Sequence, residues 1–104
     1  MATGKIEQVT TIERGTFQDQ SALWMKFSNG IAVVFGTLTI NAGDYANSRY
    51  LEGIFTSIYT VQVTPLDADV TAFGKSTNNN MIQYGRRPIT NANNLHYLVI
   101  GNWK

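Results

Sequence analysis

The sequence predicts an all-β protein, folded as a single-domain antiparallel β-sandwich of about six or seven strands. Apolar residues recur with a period of two, many of them are β-branched or aromatic, and Gly and Asn punctuate the runs that they form. The period of about 3.6 residues that indicates an amphipathic helix is absent from the sequence. At 104 residues, the chain has the length of one domain with one hydrophobic core.

The first predicted hairpin spans residues 21–40. SALWMKFS places Leu23, Met25 and Phe27 on one face of a strand. An Asn-Gly pair at 29–30 offers the positive φ of a tight turn. The returning strand, GIAVVFGTLTI, is apolar on both faces in its first half, which indicates a strand that is covered on both sides.

The following segments predict one long loop and several shorter strands. NAGDYANSRYLEG (41–53) has no clean period and is predicted to be a loop, of a length that often carries function. SIYTVQVTPL (57–66) alternates as a strand with one solvated face. Shorter strands are predicted in ADVTAFGK (68–75) and NMIQYG (80–85), and RRPITNANN (86–94) leads into the closing strand.

The closing strand, NLHYLVIGNWK, carries apolar residues at both odd and even positions. In a two-layer sandwich, such a strand needs a second apolar partner beyond the core of its own chain. Either the chain's own loops cover it, or it packs against identical strands of other copies. We favour the second explanation, because residues 31–35 show the same excess. The predicted interface residues are Ile31, Val33, Phe35, Tyr97, Val99 and Trp103.

Composition narrows the classes of function. Eight Lys and Arg residues stand against seven acidic ones, so no overall field attracts nucleic acid or an anionic membrane. The absence of cysteine excludes a disulfide framework, a thiolate nucleophile and a zinc ribbon. No apolar run approaches the roughly 18 residues of a membrane span, and MATGKIEQ lacks the apolar stretch of a signal peptide. We therefore expect no nucleic-acid partner, no membrane insertion and no signal peptide.

Few residues suggest catalysis or metal binding. The only histidine, His96, lies beside the predicted interface and is expected to be a packing residue rather than a general base. Asp67 and Asp69 are expected to belong to a solvated turn rather than to a calcium site. Trp24 and Trp103 are expected to be packing anchors rather than platforms for sugars. We therefore expect a protein that is not an enzyme and that holds neither a metal nor a cofactor.

Three segments, in chain order, resemble the C-terminal domains of bacteriophage tail fibres, whose fold is similar to that of the H-type lectins. KFSNGIAVVFGTLTI resembles the family's strand, Asn/Asp-Gly turn, apolar strand and aromatic-Gly opening. YLEGIFTSIYTVQVTPL is similar to its middle segment, and LHYLVIGNWK to its terminal aromatic strand. The likeness covers residues 21–104, while residues 1–20 are expected to continue an upstream fibre stalk or to form a first strand.

The resemblance implies a homotrimer at the distal tip of a tail fibre, joined to an upstream fibre segment. It implies a protein that is made in the cytoplasm of the bacterial host, becomes part of the virion and contacts the bacterial surface, often its glycans. The expected function is therefore trimerisation and host-surface binding without catalysis. The alternatives are a purely structural trimerisation cap and a polysaccharide depolymerase, although the scattered carboxylates do not indicate the acid pair that glycoside hydrolysis uses.

Side chains suited to binding sugars occur in the predicted loop and before the last strand. Aromatic rings pack against the C–H face of a pyranose, while amide and guanidinium groups bind its hydroxyls. The candidate glycan-binding residues are Tyr45, Asn47, Arg49, Tyr50, Arg86, Arg87, Asn93 and Asn94. Asn is also common in turns for backbone reasons alone. The two adjacent arginines should point to opposite faces of a strand, and at least one is expected to pair with an acidic residue, such as Glu52, Asp67 or Asp69 of a neighbouring subunit.

Overall fold

The computed structural model describes residues 8–104, which form eight β-strands and no helix. The strands are β1 (Thr11–Thr16), β2 (Ala22–Phe27), β3 (Ile31–Ile40), β4 (Ala46–Tyr50), β5 (Ser57–Pro65), β6 (Thr71–Asn78), β7 (Met81–Arg87) and β8 (Asn93–Asn102). The all-β prediction is confirmed, and no helix within this range has the length and hydropathy of a membrane span. Of the predicted N-terminal segment, residues 1–7 lie outside the described range, whereas residues 11–16 form β1.

The strands form two antiparallel sheets. The larger sheet has the order β1-β2-β3-β8-β5, and the smaller one has the order β4-β7-β6. β8 pairs along its whole length with β3, from Ile31 opposite Asn102 to Ile40 opposite Asn93, and along its other edge with β5. The last strand of the chain is therefore an internal strand of the larger sheet, with one face on the core and the other on the outside of the sandwich.

The hydrophobic core lies between the two sheets. On β3 the even-numbered residues face inward, and on β8 the odd-numbered ones do, so that Val34 lies opposite Val99 and Leu38 opposite Leu95. Ile82 of β7 closes the core from the smaller sheet. The core also includes Phe17, Ala22, Ala32, Ile40, Leu51, Ile54, Phe55, Tyr84 and Tyr97.

The outer face of the larger sheet is also apolar at its centre. In one row of paired residues Phe35 lies opposite Leu23 and Leu98, and in the next row Val33 lies opposite Met25 and Ile100. Leu23 is 48% exposed and Phe35 is 36% exposed. We refer to these six residues, Leu23, Met25, Val33, Phe35, Leu98 and Ile100, as the outer patch. The next row pairs Thr37 with His96, so the patch ends at a polar border.

The assignment of Tyr97 and Val99 to an interface between copies is wrong. Both side chains are buried in the core of their own chain, and the residues of β8 that face outward are Leu98 and Ile100. A period of two separates the two faces of a strand but does not tell which of two apolar faces points inward. Trp103 packs against the core and donates its indole N–H to the Phe27 carbonyl over 2.8 Å, as a packing anchor would.

The prediction of one long loop over residues 41–53 is also wrong. Ala46–Tyr50 form β4, which pairs with β7 from Ala46 opposite Gly85 to Tyr50 opposite Met81. The sequence ANSRY lacks an apolar alternation because β4 is an edge strand, stabilised mainly by its hydrogen bonds to β7. β5 contains a bulge between Ile58 and Thr60, and Tyr59, which lies within the bulge, is exposed at the surface.

The sandwich has two distinct ends. Loops 41–45, 66–70 and 88–92 meet at one end, which we call the loop end. The opposite end, which we call the turn end, carries the turn at 28–30. β1 begins there, since Thr11 lies opposite Phe27, and the Trp103 amide bonds to the Gly30 carbonyl there. Both ends of the described chain thus lie away from the three loops.

Truncating β8 on its inner face should destabilise the fold far more than truncating it on its outer face. Leu95 is fully buried whereas its neighbour His96 is exposed. Leu95→Ala should lower the free energy of unfolding by about 2–5 kcal/mol, and His96→Ala by less than about 0.5 kcal/mol. Urea denaturation followed by tryptophan fluorescence measures both. Equal losses would contradict the assignment of the two faces.

Candidate functional site

A buried arginine holds the loop end together. Arg86, near the end of β7, is fully buried. Its guanidinium donates hydrogen bonds to the carbonyl oxygens of Asn41 over 2.5 Å, Pro88 over 3.2 Å and Asn91, and to the Asn93 Oδ1 over 2.6 Å. These acceptors lie around the first and third loops of the loop end. Because burying a charge is costly unless it is hydrogen-bonded, these bonds favour one course of the loops, although the Arg86 Nε has no partner among residues 8–104.

The same network reaches the second loop. The side-chain amide of Asn93 donates to the Asp67 carboxylate while its oxygen accepts from Arg86. One amide therefore connects a buried cation to a carboxylate on the surface. A separate bond of 2.7 Å from the Gly43 amide to the Ile89 carbonyl joins the first and third loops directly. The three loops thus form one connected unit.

Arg86 and Asn93 are consequently structural residues, and their prediction as ligand-binding residues is corrected. Arg86 is fully buried, and Asn93 is only 9% exposed. The expectation that one of the adjacent arginines is paired structurally applies to Arg86, although its partners are mainly carbonyl oxygens of its own chain rather than a neighbouring subunit's carboxylate. Arg87 lies on the opposite face of the strand and is exposed.

Arg87 and Tyr45 come together at the surface of the loop end. The Arg87 guanidinium carbon lies 5.2 Å from the centre of the Tyr45 ring, within the range of a cation–π contact. The same ring lies 5.4 Å from the Phe73 ring, tilted by 42°. Tyr45 is nevertheless 45% exposed. The two side chains border a shallow depression lined by Tyr45, Asp69, Thr71, Arg87, Pro88, Ile89 and Thr90.

Because Gly85 has no side chain, the rings of Phe73 and Tyr45 can pack against each other beside it. A Cβ at position 85 would lie 2.5 Å from the Phe73 ring and 2.6 Å from the Tyr45 carbonyl oxygen. Such distances are too short for any side chain, so the strand must carry glycine where Phe73 lies across it. The lining of the depression is mostly apolar, and it also holds an aromatic ring, a guanidinium, a carboxylate and the hydroxyls of Thr71 and Thr90.

Arg49, another predicted ligand-binding residue, instead joins the two sheets. Its guanidinium forms two hydrogen bonds to the Asp19 carboxylate, of 2.7 and 3.1 Å, and one of 3.0 Å to the Ser21 hydroxyl. It also lies 4.8 Å from the centre of the Phe17 ring. The bonds from Arg49 and Ser21 hold the pKa of the Asp19 carboxyl well below its usual range. The hydrogen bond to Asp19 in turn raises the pKa of Arg49.

The remaining predicted ligand-binding residues lie apart from one another. Asn94 is at the loop end, where its side-chain oxygen accepts from the Thr39 hydroxyl over 2.8 Å. Asn47 is partly buried on β4, opposite Tyr84. Tyr50 is 56% exposed but lies at the other end of β4. The structure thus brings together Tyr45 and Arg87, with Asn94 across the same end of the sandwich.

Sequence reasoning missed several residues of the depression. Asp69, Thr71, Ile89 and Thr90 line it. Only Asp69 had a signal, the spacing Asp-x-Asp, and that spacing indicates a solvated turn as readily as a site. Among residues 8–104, no group of three or more potential metal ligands lies close together.

Comparison with known proteins identifies structures with a similar fold but no curated protein with a similar sequence. No protein-family model matches the sequence, and no curated protein is detectably similar to it. Among solved structures, an N-truncated R2-type pyocin tail fibre matches 95% of this chain with a TM-score of 0.69 at 13% sequence identity. A P. aeruginosa R2 pyocin fibre, solved as its C-terminal part, matches 92% with a TM-score of 0.69, also at 13% identity.

A P. aeruginosa R1 pyocin fibre matches 91% of this chain, at 15% identity and a TM-score of 0.56. This chain corresponds to 39%, 26% and 28% of the three fibre fragments, respectively. The chain therefore has the fold of a part of these tail fibres. The likeness to H-type lectins stays a prediction.

The loop end should lose its structure when the buried arginine is removed. Arg86→Met leaves one buried and three partly buried acceptors without their donor. Because an unpaired buried acceptor costs about 1–3 kcal/mol, the free energy of unfolding should fall by at least about 2 kcal/mol. Arg87→Met is the matched control and should cost less than about 1 kcal/mol. Chemical denaturation of the two variants checks this. A loss from Arg87→Met as large as that from Arg86→Met would contradict the structural role of Arg86.

The ion pair between Asp19 and Arg49 predicts sensitivity to acid. The folded chain lowers the pKa of Asp19 from its ordinary value of 3.8. The pair's contribution to stability is therefore fully present above that value and is lost as the pH falls below it. Asp19→Asn should be less stable than the unaltered protein at pH 7, and this difference should shrink as the pH falls from 5 to about 2. Thermal unfolding across that range measures it, and a constant difference would contradict the prediction.

Proposed function

We propose that this chain is the trimeric, non-catalytic tip domain of a phage tail fibre, and that its loop end binds a glycan of the bacterial surface. The fold shared with pyocin tail fibres supports the fibre role. The outer patch supports assembly of three copies. The depression beside Tyr45 and Arg87 supports binding, and it is the single observation that carries the proposed function.

The outer patch gives identical copies a surface to share. It consists of three adjacent apolar residues in each of two rows at the centre of the larger sheet. Each row continues to polar residues on β1 and β5, Thr16 and Gln62 in one and Arg14 and Thr60 in the other. Thr37 and His96 border the patch along the strands. Apolar surface of this kind favours association when it is removed from water. In a closed assembly of three copies, the same strands, β3 and β8, meet around one axis. The interface we propose therefore includes Ile31, Val33 and Phe35 from the sequence-based prediction, with Leu98 and Ile100 in place of Tyr97 and Val99.

The course of the chain orients this assembly. β1 begins at the turn end, so an upstream fibre segment that leads into β1 approaches the sandwich from there. The loop end then points away from the fibre. Three copies of the depression are presented together in that direction, and several weak sites on one particle bind far more tightly than a single one does. In this arrangement the protein belongs to the virion, at the tip of its tail fibre.

Replacing the two exposed residues of the depression should abolish binding to bacteria without unfolding the protein. The double variant Tyr45→Ala/Arg87→Ala should reduce adsorption of the fluorescently labelled protein to a susceptible strain by at least about tenfold, which corresponds to about 1.4 kcal/mol. Tyr50→Ala, an exposed tyrosine at the other end of β4, is the matched control. Its adsorption should remain within about twofold of that of the unaltered protein.

Two outcomes would overturn the binding half of the proposal. One is equal adsorption by the double variant and by the control. The other is failure of the unaltered protein to bind any strain or glycan in a broad panel. Either result would favour the alternative, a purely structural trimerisation cap, because that function needs the outer patch but not the depression.

A further inference from the structure

We infer that the loop end carries a continuous groove for a linear, uncharged oligosaccharide of about three or more sugar units, rather than a pocket for one terminal sugar. This inference rests on the proposed function, since it names the class of glycan that the same end would bind. It is supported by the way in which three depressions adjoin, by the charges along them and by the network that holds their walls.

Three depressions lie in a row across the loop end. The first, beside Tyr45 and Arg87, shares Asp69, Pro88 and Thr90 with the second. The second shares Asp67, Ala92 and Asn93 with the third, which extends to Thr39 and Asn94. Neighbouring depressions therefore adjoin, and a ligand long enough to cross their shared residues would occupy more than one of them. We call this row the tip groove.

The size of the tip groove exceeds what a single sugar fills. Its three parts have volumes of about 780, 430 and 290 Å³. Each is near or within the range of roughly 300–1,000 Å³ that is typical of whole ligand pockets. None of the three is enclosed by the protein, so the groove is open along its length. An open groove with several parts of this size fits a chain of sugars that continues beyond it.

The charges along the tip groove favour an uncharged ligand. The second depression contains the exposed carboxylates of Asp67 and Asp69, and ionised carboxylates can only accept hydrogen bonds. Sugar hydroxyls donate such bonds, whereas phosphate or uronate groups would be repelled. Arg87 is the only cationic residue among those lining the three depressions, and it lies at one end. The third depression shares Asp67 with the second and adds the neutral groups of Thr39 and Asn94.

The walls of the tip groove are held in place before a ligand binds. The Asp67 carboxylate accepts from Asn93, whose side chain is fixed by the buried Arg86. The Thr39 hydroxyl donates to the Asn94 side chain. Groups that are already oriented lose little conformational entropy on binding, which strengthens the individually weak hydrogen bonds to sugar hydroxyls.

The inference is tested by measuring how binding affinity depends on the length of the oligosaccharide. The probes are neutral O-polysaccharide fragments of one to six sugar units, released by mild acid from a strain to which the protein adsorbs, and uronic-acid-containing fragments of the same lengths. Isothermal titration of the unaltered protein should show affinity rising at least about tenfold between one and three or four units, and then levelling off. Uronic-acid fragments should bind more weakly at every length.

Variants along the tip groove should act according to fragment length. Asn94→Ala should weaken binding of fragments of three or more units by about threefold to tenfold and leave that of the shortest fragments unchanged. Asn79→Ala, in the turn between β6 and β7 at the turn end, is the control and should change neither. Tyr45→Ala should weaken binding at every length, because the shortest fragments occupy the first depression.

Affinity that is already maximal with one sugar unit would overturn the groove, as would tighter binding of the uronic-acid fragments. In both cases the protein would still bind a glycan, so the proposed function would stand. If the unaltered protein binds neither whole cells nor any fragment, the proposed function itself fails, and the inference fails with it.

Discussion

The position of β8 between β3 and β5 is the constraint on which the rest of the structure depends. Its inner face supplies Leu95, Tyr97 and Val99 to the core, and its backbone joins β5 to the rest of the larger sheet. A strand in that position must be apolar on its inner face, but nothing in one sandwich requires its outer face to be apolar as well. The core of a single chain does not explain why Leu98 and Ile100 are apolar. We propose that they pack against the same patch of a second copy.

The second constraint is the buried charge of Arg86. Loops that protrude from a sandwich are usually its most variable and mobile parts. Here a guanidinium inside the loop end, bonded to oxygens on both sides of it, makes three loops into one unit. The network that surrounds this buried cation also orients Asp67 beside the proposed tip groove. If the proposed groove binds a glycan, Arg86 supports that binding only through the residues that it holds in place.

The sequence predicted correctly those structural features that depend only on residues close together in the chain. The Asn-Gly turn and the alternation on either side of it predicted the hairpin of β2 and β3, and the structure confirms it. The prediction that adjacent arginines point to opposite faces was also correct, since Arg86 is buried and Arg87 exposed. These features follow from backbone geometry that a few residues determine.

Features that depend on distant partners were harder to predict. β4 has no apolar alternation, because it is defined by its pairing with β7. The choice of inner face on β8 depends on register with β3 and β5, which the alternation alone does not fix. Tyr45 and Arg87 meet only because the ends of β4 and β7 are adjacent, and Asp19 had no sequence signal that linked it to Arg49. Contacts of this kind follow from the topology, which hairpin signals settled only for the first pair of strands.

The mass of the protein in solution decides whether the proposed trimer forms, and the roles proposed for the outer patch and for several weak sites both depend on that trimer. Light scattering coupled to size-exclusion chromatography should give three times the chain mass of 11.6 kDa. The double variant Leu98→Glu/Ile100→Glu, which places charges in the outer patch, should give a single chain mass while keeping the β-sheet circular dichroism spectrum. If the unaltered protein is monomeric at all concentrations measured, the proposed trimer is wrong. If the double variant is still a trimer, the outer patch is not the interface.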